Sequence, residues 1–194
     1  MKHFSDISAT GERILDAAQG LVQQRGYSGF SYDDVARLVD IRKPSIHHHF
    51  PTKAELVVVL TQRYSHRFRE QLLRLESQHA RAPDRLRAYA ELFDRTFALE
   101  RRLCLCGMLG AEAEALPAEV LAEVQRFFQA NLEWLAMVFD EGQRAGLIRA
   151  GVPAAALAEA YLAALEGAMV VGRGLRSVRG MGSVAATFLS TVQV

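Results

Sequence analysis

Residues capable of chemistry crowd into one short stretch: Lys43, Ser45, His47, His48 and His49. They alternate with two apolar residues, Ile46 and Phe50, whose i, i+4 spacing puts both on one face of a helix. The remaining face carries donors and acceptors that have no use in a core. A helix of this kind suits the major groove of a duplex, where base edges offer a readable pattern of donors and acceptors. The local charge agrees. Between Ile41 and Ala54 stand Arg42, Lys43 and Lys53 and no acid, whereas residues 1–60 as a whole carry seven basic and seven acidic side chains. Positive potential is therefore focused on this segment. Lys53 falls in the first turn of the next helix, where free N–H groups and the helix dipole also attract a phosphate.

Other chemistry is weaker. His47, His48 and His49 are consecutive, so on a helix they point about 100° apart and do not converge on one ion. Cys104 and Cys106 diverge at i and i+2, and a disulfide between them would be strained. Either they are small buried hydrophobes, or the nearby Arg101 and Arg102 lower a thiol pKa and make a reactive sensor. No glycine-rich phosphate loop, nucleophile elbow, His-x-x-x-His or Cys-x-x-Cys spacing occurs, so neither an enzyme nor a cofactor is expected.

The elements that must position these residues are helical throughout. Ile14, Ala17, Ala18, Leu21 and Val22 make one apolar stripe over 11–25, with Thr10 as the expected N-cap and Gly26 as a left-handed C-cap. Ser31 caps a second short helix, with Asp34 in capping-box position. Asp40, Ile41 and Arg42 break it. Pro44 suits the first turn of a third helix, and the Phe50–Pro51 step ends that helix. Thr52 and Glu55 make another capping-box spacing, opening a helix over 52–78 that would be about 38 Å long. Further helices are expected over 84–100, 108–116, 117–145, 153–173 and 183–192, with Gly146 and Pro153 punctuating them. The proportions of 31–50 are those of a helix-turn-helix.

With the elements in place, residues 10–60 are similar to the DNA-binding region of the TetR family of transcriptional regulators. The match runs through Thr10, Arg13, Ile14, Leu15, Ala17 and Ala18, then Gly26 and Tyr27, then Ser31, Val35 and Ala36, and finally Lys43, Pro44, Ser45, Ile46, His49, Phe50, Pro51, Thr52, Lys53, Glu55 and Leu56. The resemblance implies an all-α protein of about nine helices: a three-helix helix-turn-helix DNA-binding domain over 1–52 and a larger helical ligand-binding and dimerisation domain over 53–194. It implies a homodimeric, ligand-responsive regulator, usually a repressor of a pseudo-palindromic operator. It places Ser31, Arg42, Lys43, Ser45, His47, His48 and Lys53 at DNA-contact positions. Three residues depart from the family pattern: His47 replaces a Tyr that touches a phosphate, Asp40 a Gly, and Arg42 a capping Ser. The imidazole is expected to keep the phosphate contact by donating a hydrogen bond. An alternative is a helical small-molecule-binding protein without DNA binding.

Composition bounds the rest. The chain has 194 residues, half of them hydrophobic, and a net charge of +1, which excludes a disordered chain and a uniformly basic coat. Two cysteines exclude a disulfide scaffold and suit a reducing cytoplasm. Glu159 and Glu166 interrupt the longest apolar run, so no membrane span is expected. Phe93, Phe97, Cys104, Met108, Phe128, Trp134 and Met137 are candidates for an apolar cavity that takes a small apolar or aromatic effector, with core packing as the competing reading. Ala156, Ala160, Ala164, Gly167, Val171 and Phe188 supply the small or flat surface for a two-fold helical interface. Packing within one chain is the competing reading there.

Overall fold

The computed structural model describes residues 7–177 and 180–194. Among the described residues nine α-helices follow one another: α1 (Ala9–Arg25), α2 (Tyr32–Val39), α3 (Lys43–His49), α4 (Lys53–Gln78), α5 (Ala82–Ala98), α6 (Leu105–Gly110), α7 (Ala118–Arg144), α8 (Ala154–Gly174) and α9 (Gly182–Val192). Among the described residues there is no strand, and a single antiparallel bridge joins Ile148 to Gln193. The all-α expectation holds. The helices fall into two compact units, the chain up to Phe68 with Leu105–Phe127, and Arg69–Cys104 with Phe128–Val194.

In the first unit α1 packs on α2 and on α6, and α2 packs on α3. The core consists of Ile14, Leu15, Ala18 and Val22 of α1, Val35 and Val39 of α2, Ile46 and Phe50 around α3, and Leu56 to Leu60 of α4. Arg63 pins α4 to α1. Arg63 is 2% exposed, and its guanidinium reaches Glu12 at 2.6 Å and Asp16 at 2.8 Å. A buried charge needs such partners, because an unpaired one would cost several kcal/mol. Tyr64, Phe68 and Phe127 form an aromatic cluster, with Phe68 and Phe127 edge-to-face at 5.3 Å.

In the second unit α5, α8 and α9 pack on one another. Tyr89 and Tyr161 are fully buried, and each hydroxyl has found a partner, Asn131 at 2.9 Å and the Leu86 carbonyl at 2.8 Å. The Asp94 carboxylate accepts from the backbone N–H groups of Met181 and Gly182, which starts α9.

The local signals act as expected in α2. Ser31 and Asp34 cap it reciprocally, and Asp40 ends it in the left-handed region at φ 56°, ψ 53°. Elsewhere three details differ. α1 begins earlier, because the Ser8 side chain, not Thr10, caps it. Gly26 takes φ 77°, ψ −176°, an extended mirror region open essentially to glycine rather than the left-handed helical one. The expected helix over 108–116 is instead the six-residue α6 plus a 3-10 turn at Ala113–Ala115. It starts sooner because Leu105, Cys106 and Leu109 are the buried face, and it stops at Gly110.

Left-handed backbone costs an L-residue about 1–2 kcal/mol, less for Asp, and glycine nothing of that kind. An Asp40→Gly variant is therefore expected to gain up to about 1 kcal/mol, read from the urea midpoint, and Asp40→Val to lose more than that.

Candidate nucleic-acid interface and effector core

α3 is seven residues long, too short to hold its shape alone. Ile46 and Phe50, both at 0% exposure, fix its inner face. Lys43, Pro44, Ser45, His47 and His48 are exposed as a result. Arg42 is the N-cap residue with no side-chain cap bond, so its guanidinium is exposed and uncommitted to the helix end. The sequence-predicted residues are thus brought to one surface, but several hold internal partners. Lys43 pairs with Asp33 at 2.8 Å. The Ser31 hydroxyl is spent on Asp34 at 2.7 Å.

His47 has an internal partner too. Its Nδ1 lies 3.2 Å from the Pro51 carbonyl, and a carbonyl only accepts, so Nδ1 carries the proton. The neutral ring then offers Nε2 as an acceptor.

Lys53 also has internal partners. It donates to the Phe30 carbonyl and sits 4.7 Å over the Tyr27 ring and 4.2 Å over the Phe30 ring. Burial lowers its pKa, and Glu112 and Asp34 oppose that. The ammonium therefore belongs to an aromatic cage beside α3. Cage and helix share a groove of about 350 Å³ lined by Phe30, Tyr32, Lys43, His47, Thr52 and Lys53. Tyr32, buried with its pKa pushed up by burial, donates to the Phe50 carbonyl at 2.8 Å and so ties α2 to the end of α3.

The candidate effector residues divide. Phe93, Phe97 and Cys104 are buried in the second unit, and Phe128 and Trp134 are half-buried there. Met137 is exposed, and Met108 belongs to the first unit. Trp134 stacks on Tyr89 at 5.5 Å and donates to Glu76 at 2.6 Å. Glu166 was not foreseen as a site residue. One oxygen of its buried carboxyl lacks a hydrogen-bond partner, while the Cys104 thiol bonds to the carboxyl. Burial raises its pKa to about 7. The only sequence signal was an acid interrupting an apolar helix.

Comparison with known proteins fits this arrangement. Residues 14–60 match the family described as bacterial regulatory proteins, tetR family, and residues 82–188 match the tetracyclin repressor-like C-terminal domain. The chain belongs to the TetR family. Among relatives, the transcriptional regulator AcuR of Cereibacter sphaeroides is 29% identical over 85% of this chain and 77% of its own length. The HTH-type transcriptional repressor DhaR of a Mycobacterium species is 26% identical over 82% and 80%. A TetR-family regulator from Agrobacterium tumefaciens has a similar structure, with TM-score 0.89 at 31% identity, covering 96% of this chain and 98% of that one. A Legionella pneumophila regulator follows at TM-score 0.87 and 26%, covering 97% and 100%. As a TetR regulator the chain is a ligand-responsive, DNA-binding transcription factor, and α2–α3 is its helix-turn-helix.

The raised Glu166 pKa has a stability consequence. The folded chain holds this proton more tightly than the unfolded one, so the group costs nothing below about pH 4.5. Stability is lost as pH rises towards 7. At about 1.4 kcal/mol per unit, the loss is roughly 3.5 kcal/mol at most. Glu166→Gln is expected to remove this dependence and to be the more stable protein at pH 8, as thermal melts across pH 4–8 would show.

Proposed function

We propose that the protein is a homodimeric repressor whose two α3 helices enter successive major grooves of a pseudo-palindromic operator. The observation that carries this reading is the polarity of α3, with Ile46 and Phe50 sealed inside and Lys43, Ser45, His47 and His48 outside. The repressor sense is supported by the name of its relative DhaR. In the operator complex Lys43 and His48 read bases or phosphates, Arg42 and Ser45 flank them, and His47 meets a phosphate. Ser31 and Lys53 hold the edge of the groove.

Two readers need a two-fold interface. The surface of α8 and α9 supports one. Ala156, Ala160, Gly167 and Val171 are exposed, while Ala164 and Phe188 line an open groove of about 460 Å³ together with Val184 and Thr187. By length and composition α8 could cross a bilayer. The presence of Glu166 with its Cys104 partner suits a soluble helix whose apolar face meets a second copy.

The effector reading follows from the second unit. A small molecule binds among Phe93, Phe97, Cys104, Phe128 and Trp134, with an apolar or aromatic body against the rings and a hydrogen-bond donor directed at Glu166. Thiol modification at Cys104 would perturb the same carboxyl. Either event releases operator only through differential affinity for the DNA-incompetent state, typically about 1–3 kcal/mol of coupling.

The test is selection of bound duplexes from random DNA, followed by titration. Lys43→Ala and His48→Ala are each expected to lose at least tenfold in affinity with the dimer intact. Wild-type affinity should fall steeply between 50 and 200 mM salt, since phosphate contacts release counterions. A flat salt titration with unchanged variants would refute the interface. Separately, Val171→Asp and Gly167→Arg are expected to sediment as monomers and to bind the full operator far more weakly.

A further inference from the structure

The α1–α2 loop is held by a residue from a distant part of the sequence. Glu112 lies just after α6, in the first unit. Its Oε2 accepts from the backbone N–H of Ser28 at 2.9 Å. The Tyr27 N–H and the Ser28 hydroxyl also bond to its carboxylate. Burial pushes its pKa up, but these bonds and Lys53 outweigh it, so the group stays below the usual Glu range. The approach is close, and it falls where the loop backbone itself calls for glycine. A Cβ on Gly26 would meet Glu112 Oε1 at 1.8 Å, and Gly26 has a backbone conformation that only glycine adopts freely. Carboxylate and loop are therefore fitted to each other.

The loop so held is one wall of the DNA-facing groove. Tyr27 and Phe30 supply the rings under the Lys53 ammonium, and the Phe30 carbonyl takes its hydrogen bond. Glu112 is also the larger of the two charges that oppose the loss of the Lys53 proton. Lys53, Phe30 and Tyr32 in turn border Lys43 and His47 in the same groove.

We infer that Glu112 is a positioning residue for operator recognition: by clamping the backbone at Tyr27 and Ser28 it holds the Lys53 cage, and with it the groove beside α3, in the DNA-binding arrangement. α6 begins directly after Cys104, so a change at Cys104 has a short covalent path to the clamp, eight residues long. Nothing in the helix-turn-helix sequence signals this contact, because its two partners are 84 residues apart. The inference rests on the DNA-binding reading above and deepens it.

The test uses full-length protein and a fluorescent duplex enriched from random DNA on the wild type. Glu112→Gln keeps the shape but loses the charge and one acceptor. It is expected to weaken duplex binding five- to thirtyfold, while helix content stays unchanged and the melting temperature moves by only a few degrees. In a Lys53→Met background the same substitution should cost less than twofold, since its effect passes through the cage. A role confined to fold stability would give equal losses in both backgrounds, and that result would overturn the proposal, as would wild-type affinity in Glu112→Gln. Amide exchange in the wild-type protein gives a check that needs no variant. The Ser28 N–H should be protected, and free exchange there would dismiss the clamp. If the wild type enriches no duplex at all, the operator reading fails while the Ser28 measurement still decides the clamp.

Discussion

The burial of two side chains, Ile46 and Phe50, sets the orientation on which DNA recognition depends. A helix of seven residues has no stability of its own, so its facing is decided by what it buries. With both residues fully enclosed, Lys43, Ser45, His47 and His48 have only the outside left to them. Replacing either anchor by a polar residue would remove the reason for that facing before it touched any DNA contact. Tyr32 strengthens the arrangement by bonding to the Phe50 carbonyl, so the two helices of the motif share one hydrogen bond as well as one core.

Around this anchor the protein uses charge sparingly. A net charge of +1 gives no general attraction to nucleic acid, and the potential must come from a few residues placed together. Some of those residues are already engaged, Lys43 with Asp33 and Lys53 with its aromatic cage. In the proposed operator complex these side chains would exchange internal partners for phosphates, which would make the surface responsive to small rearrangements. In the second unit the opposite device operates. The Glu166 carboxyl is buried with one oxygen unpartnered and a pKa near 7. Such a group is costly, and a ligand donor would relieve the cost. An effector bound there, as proposed, would gain a source of differential binding between states.

Much of this was legible in the sequence wherever the physics is local. The Ser31–Asp34 box, the break at Asp40, the start of α3 at Lys43–Pro44 and the enclosed pair Ile46 and Phe50 depend on residues within a few positions of each other. The structure has all of them as expected. Nine helices and their order could be read from periodicity for the same reason. What was not legible is long-range. Ser8 rather than Thr10 caps α1 because two hydroxyl residues compete and only backbone geometry chooses. The Lys53 cage needs Tyr27 and Phe30 to fold back on it. Glu112 and Glu166 looked like ordinary acids in helical segments, and their roles come from partners 84 and 62 residues away in sequence. The bond between His47 Nδ1 and the Pro51 carbonyl was not legible either, because it depends on how the chain turns after α3.

The claim that α3 reads the major groove is tested most directly by methylation interference on an enriched operator duplex, because guanine N7 lies in that groove alone. The account predicts two clusters of interfering guanines, centred about one helical turn apart, in wild-type protein. Interference confined to adenine N3 in the minor groove, or spread evenly along the duplex, would contradict it.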